Sequence, residues 1–263
     1  FTHAISRARR IGYDGVEIPV ENPDKLDAER LRKVLEEYEM IPCSMTPAMP
    51  DPISSDPDVR RDCVKTFTKD AEIAKQIGAD SASIVFVPSE VSKLDSDLPY
   101  EKDWELAVEV LRELGDIASQ NNVYLCIEPL NRWETYFINK VAEAVELVKE
   151  VNHGNVKVMI DTCHMNIEEN RFGVEILNAG DLIYHVHCNE NNRGAPGSGH
   201  VPFREIFAAL KEIGYHRYLV IQTFKTRIME LPRAAVIWKK LAPDQDSLAR
   251  DGLRYMQHTW YSM

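Results

Sequence analysis

Short apolar runs rich in β-branched residues alternate with longer stretches of helical period along almost the whole chain. The runs at 15–18, 41–45, 81–87, 123–128, 156–161, 182–188 and 218–222 predict strands. Between them apolar residues return at helical spacing, as at Leu31, Val34, Leu35 and Tyr38 after Leu26, and at Val141, Ala144, Val145 and Val148. Regular alternation of strand and helix predicts a parallel sheet with helices covering it.

Seven strands are visible, and a (β/α)8 TIM barrel needs eight. The chain opens at Phe1 inside a helical pattern, so the expectation is that the first strand lies upstream and that the sequence is N-terminally incomplete. No Gly/Ser-rich or Pro-rich linker divides it, which predicts a single TIM-barrel domain over 1–263. The competing fold, an open doubly wound sheet, calls for a Gly-rich phosphate turn after its first strand, and the sequence has none.

Charge and cysteines narrow the function classes. A formal net charge of -11 disfavours a binder of nucleic-acid backbones, which relies on clustered Lys and Arg. The five cysteines are odd in number and form no C-x-x-C pair, so neither a disulfide framework nor a thiolate zinc cage is expected, and a reducing cytoplasm fits best. No apolar run reaches the ~18 residues of a membrane span.

In a parallel barrel the reacting groups sit at the C-terminal ends of strands and in the loops beyond. Glu128, Asp161, His187 and Gln222 occupy such positions in four successive predicted strands. Together they form an O/O/N/O set that suits Mn2+, Mg2+ or Co2+ better than a thiolate-rich site would. Each has a plainer alternative. Glu128 could pair with Arg132, Asp161 could be a helix N-cap, and Gln222 could bond to backbone. His164, three residues after Asp161, could be a surface loop histidine. His185 and His187 point to one face, with His187 nearer the strand end and His185 packed deeper. Arg193 stands in a glycine-bearing, mobile-looking loop at 189–200, where it could simply be solvated.

The stretches Glu128-Pro-Leu-Asn-Arg-Trp-Glu134, Asp161-Thr-Cys-His-Met-Asn-Ile-Glu-Glu169, His185-Val-His187 with Asn191-Asn-Arg193, and the run 237–246 resemble the ketose 3-epimerases. These are the D-tagatose and D-allulose 3-epimerase group of the xylose-isomerase-like barrels. The resemblance covers the chain from about residue 54 to the C-terminal helix. It implies a divalent metal, usually manganese, that binds a free ketose. It also implies two metal-bound glutamates that face each other across C3 and exchange its proton through a cis-enediolate. Glu128, Asp161 and His187 are then metal ligands, Glu128 is also one acid/base residue, and Glu134, His164 and Arg193 hold substrate hydroxyls. A homo-oligomer is implied as well.

The resemblance breaks at Gln222, where the family's second glutamate is expected in Glu-Pro-Phe or Glu-Ser-Phe and this chain reads Gln222-Thr-Phe224. A carboxamide cannot take a proton from carbon. The stretch 85–90 also lacks the aromatic, Gly-rich sequence often found there. Three functions stay open. One is an epimerase impaired or substrate-trapping at Gln222. Another is a one-base isomerase or lyase acting on keto sugars or keto-glycosides. The third is a metal-dependent sugar-binding protein without catalysis.

Overall fold

The computed structural model describes residues 1–88, 98, 100–224 and 240–263, so Ser89, Glu90 and residues 237–239 of the motifs above lie outside the described residues. Seven strands form one sheet in sequence order: β1 Gly15–Val20, β2 Ile41–Pro47, β3 Ser81–Ile84, β4 Tyr124–Ile127, β5 Val156–Asp161, β6 Ile183–His187 and β7 Leu219–Val220. Every pairing is parallel. The sheet curls into a nearly closed TIM barrel, so that the side chain of Glu17 on β1 meets those of His185 and His187 on β6.

The strands match the sequence pattern, with shorter upper ends at β3, β4, β6 and β7 and longer ones at β1 and β2. β3 ends at Ile84 rather than 87, and β4 ends at Ile127, although the Glu128 amide still donates to the Ile84 carbonyl at 3.0 Å. β7 keeps only the two residues that register with β6. Past it, the Gln222 amide donates to the Asn189 side chain at 2.8 Å, so a side chain takes over the ladder's role.

Helices α1 Thr2–Ile11, α2 Ala28–Glu37, α3 Pro57–Ile77, α4 Tyr100–Gln120, α5 Val141–Val151, α6 Thr162–Glu168, α7 Phe172–Ala179, α8 Phe203–Glu212 and α9 Gln245–Tyr261 follow the strands. Their ends have local causes. Asp56 caps α3 by accepting from the Asp58 amide, Pro57 takes a first position that needs no amide, and Gly78 leaves it left-handed at φ 87. At α5 the Glu143 carboxylate accepts from the Asn139 and Lys140 amides.

The stripes seen in the sequence are the buried faces: Leu31, Val34 and Leu35 on α2, and Val141, Ala144, Val145 and Val148 on α5. They pack against strand residues such as Met45, Ala82, Leu125, Val158 and Val186. Burial of such side chains stabilises by about 1.5–3 kcal/mol each. Neighbouring helices touch in turn around the barrel, and α9 packs against both α8 and α1. Tyr13, just after α1, donates its hydroxyl to the Ala249 carbonyl at 2.9 Å, and Arg7 pairs with Asp246. The five cysteines are buried and free, as their spacing predicts. Among the described residues no helix is long and apolar enough to cross a membrane.

Candidate metal centre

Asp161 ends β5 and His187 ends β6, and the two are register partners. Glu128 follows the last residue of β4, where Pro129 prevents the chain from continuing as strand. All three are buried. His187 Nδ1 lies 3.6 Å from Glu128 Oε1 and 3.7 Å from Asp161 Oδ2. These atoms form a mutually close ligand set.

The fit to a cation rests on one atom. His187 Nδ1 is buried and has no hydrogen-bond partner among the described residues. An orphaned buried nitrogen is costly unless something outside the chain satisfies it. Its separations from the two carboxylates are too long for hydrogen bonds and near those of adjacent donors on an ion with bonds of about 2.0–2.2 Å. The donor set is oxygen and imidazole without thiolate, so a hard or borderline divalent ion fits it.

Asp161 uses its two oxygens separately. Oδ1 accepts from the Cys163 amide at 2.7 Å and caps α6, while Oδ2 accepts from Asn189 Nδ2 at 2.7 Å and Arg193 Nη1 at 2.5 Å. Asp161 is therefore a helix cap, and its other carboxylate oxygen faces His187 Nδ1. Glu128 does not pair with Arg132, whose guanidinium and amide bind Glu168 instead.

His164 lies in the first turn of α6 and is buried, not a surface loop residue. Its Nδ1 is approached by the Asn131 amide at 3.2 Å and Asn131 Nδ2 at 2.8 Å. Its Nε2 lies 3.1 Å from Arg193 Nη2, a donor, and faces Asp161 Oδ2 at 3.9 Å and Glu128 Oε1 at 4.0 Å. Asn131 Nδ2 also donates to Glu134 Oε1 at 2.8 Å, which ties Glu134 to the same group.

Arg193 points into the site. Besides Asp161 it donates to Gln222 Oε1 at 3.2 Å, it stands 5.4 Å from the Phe224 ring centroid, and Thr223 donates to its carbonyl at 2.9 Å. The loop 189–200, expected to be mobile, is pinned by the fully buried Glu190. Its carboxylate accepts from the Gly197 amide at 2.8 Å and the Val201 amide at 2.9 Å. Gln222 is held by this network through its amide and its side-chain oxygen rather than by other backbone.

Burial alone would raise the Asp161 carboxyl, but Arg193, His164 and His187 hold it well below the usual carboxylate range. Burial would lower His187, yet Glu17, Asp161 and Glu128 raise it well above its ordinary value. Sequence reasoning reached all seven candidate residues and missed Glu17, Asn131 and Asn189. Glu17 left a signal, since it is the one charged residue in the β1 run Gly-Val-Glu-Ile-Pro-Val.

A family model described as a xylose isomerase-like TIM barrel matches residues 5–258. The chain is 35% identical over 204 residues to a D-psicose 3-epimerase of Ruminiclostridium cellulolyticum, covering 75% of this chain and 68% of that protein. It is 30% identical over 261 residues to an L-ribulose 3-epimerase of Methylomonas sp., covering 98% and 91%. A crystal structure of a D-psicose 3-epimerase in the presence of D-fructose superposes with a TM-score of 0.89 at 28% identity, covering 99% of this chain and 93% of that one.

Proposed function

The chain belongs to the xylose isomerase-like TIM barrel family and is a sugar isomerase/epimerase by kind, and we propose that it acts on a free ketose, with Glu128 as the group that moves the C3 proton. The buried, unpartnered Nδ1 of His187 beside Glu128 and Asp161 carries this reading. Glu128, Asp161 and His187 would hold a divalent ion, Mn2+ by family resemblance, with Gln222 offering a neutral oxygen. When bound, such an ion supplies Lewis-acid stabilisation of negative charge on the substrate's oxygens.

The chain's own residues supply the rest. His164 stands beside Glu128 and Asp161 with its Nε2 3.1 Å from Arg193 Nη2, where the two side chains can meet a sugar hydroxyl together. Arg193 brings a fixed positive charge to the same space, and Glu134, fixed by Asn131, can accept from a sugar hydroxyl. Glu128 takes the proton from C3 and can return it to the face it came from. Gln222 cannot deliver one to the opposite face. The expected chemistry is therefore exchange of the C3 hydrogen with solvent, with inversion strongly suppressed.

A second reading follows from the same residue. If Gln222 is fitted to its place, the substrate needs only one base, as in aldose–ketose isomerisation or elimination from a keto sugar. Its bonds to Asn189 and Arg193 use the backbone amide and the acceptor oxygen, both of which a glutamate would also supply, so activity of the unaltered chain decides between the two readings. In both readings 1–263 is one barrel domain and the protein forms a homo-oligomer; its five free cysteines support a cytoplasmic place.

The test is C3 deuterium incorporation by NMR in D2O with added Mn2+, using D-fructose, D-allulose and L-ribulose, for the chain as it stands and for Gln222→Glu. Exchange with retained configuration is expected from the first. Epimer formation faster by about 10²–10⁴ is expected from the variant, the usual worth of a positioned acid/base. Folded, metal-loaded protein that shows no exchange in either form overturns the reading and leaves a sugar-binding role.

A further inference from the structure

Glu17 stands on β1, on the far side of His187 from the carboxylates of β4 and β5, and little of its side chain is exposed. Its Oε1 accepts from the Thr46 hydroxyl at 2.6 Å, and its Oε2 lies 2.6 Å from His185 Nε2. Both oxygens lie within reach of His187 Nε2, at 3.0 and 3.1 Å. The His185 ring meets that of His187 edge-on, with centroids 5.3 Å apart and planes at 77°. His187 is thus held at one nitrogen by a carboxylate and braced on its face by a neighbour.

We infer that Glu17 is a positioning residue that fixes the ring orientation and tautomer of His187, so that the Nδ1 lone pair faces Glu128 and Asp161. The inference rests on the metal reading above. A carboxylate has no proton to give at neutral pH, so a close contact to an imidazole nitrogen requires the proton on that nitrogen. With Nε2 protonated toward Glu17, Nδ1 is left as the free donor atom, and it is the atom without a partner. A carboxylate behind a ligating imidazole also raises the ring's basicity and blocks its rotation.

Glu17, His185 and His187 are themselves close enough to be a ligand group. Hydrogen-bond separations of 2.6–3.1 Å within it mark a set whose atoms already satisfy one another. The separations on the Nδ1 side, 3.6 and 3.7 Å, are not of that kind. Using His187 Nε2 for an ion would also move its proton to Nδ1 and break its two contacts with Glu17.

The experiment uses the full chain. In the unaltered protein loaded with Mg2+, ring 15N shifts should report His187 protonated at Nε2 and ligated at Nδ1. A proton on Nδ1 overturns the inference. In parallel, Mn2+ titrations followed by electron paramagnetic resonance should show weaker binding in Glu17→Gln by about 10–100-fold, with the metal-free melting temperature as the control for folding. Binding within about twofold of the unaltered protein overturns the inference while leaving the metal reading intact. No Mn2+ binding by the unaltered protein removes both. Should Glu17→Gln fail to fold, the 15N pattern of the unaltered protein decides.

Discussion

His187 carries a conflict that fixes how the site responds to pH. Its folded pKa is raised, so its proton contributes stability that is fully present below the ordinary value of 6.5 and is lost as pH rises through the raised one. A cation at Nδ1 must displace that proton. Mn2+ affinity is therefore expected to fall with acidification, by about tenfold per pH unit while His187 holds its proton in the metal-free protein. Calorimetry in buffers of different ionisation enthalpy should count about one proton released per ion. Asp161, held ionised far below neutrality, adds nothing to that slope. The proposed ligands were visible in the sequence because each stands at the end of its own apolar run, a local signal. Glu17 was not, because its meaning comes from a contact 168 positions away. The plainer alternative for Glu128, a pair with Arg132, fails for the converse reason: Arg132 is near in sequence but turns to Glu168.

Among the elements, α3 holds the strongest departure from its own pattern. Asp70 is fully buried on its apolar face, and neither carboxylate oxygen has a hydrogen-bond partner among the described residues. Burial pushes its carboxyl from the ordinary 3.8 up to about 7. Because the folded state holds the proton more tightly, the contribution of the neutral carboxyl is fully present below about 4 and is lost as pH rises from there through about 7. Asp70→Asn should therefore gain stability over the unaltered protein between pH 4 and pH 8, by on the order of a few kcal/mol in urea unfolding. No such gain would show that Asp70 is satisfied in solution. The loop 189–200 shows what composition alone misses. Its glycines suggested mobility, but its own Glu190 ties down the amides of Gly197 and of Val201 just beyond it, and hydrogen bonds of that kind leave no periodic trace in sequence. β7 was readable as an apolar run but not in length, since its upper end is set by the side chain of Asn189.

For the molecule as a whole, the barrel was the most legible level, because parallel strands buried on both faces appear as apolar runs separated by amphipathic helices. The site gathers residues from β4 to β7 together with Glu17 of β1, so an ion held there favours the assembled barrel over the unfolded chain. Mn2+ at about a hundred times its dissociation constant should add about 2.7 kcal/mol, read as a rise in melting temperature that chelator reverses. An unchanged melting temperature would mean that the cluster does not bind metal. The packing of α9 on α1 has a consequence for biogenesis. Arg7 and Asp246 stand 239 positions apart, so α1 waits for a helix that the ribosome makes long after it. Loop closure over such a span costs only slowly more with length, but it is late. Until α9 arrives, the side of α1 that it covers stays open to solvent, and this is the interval in which a chaperone would have most to cover.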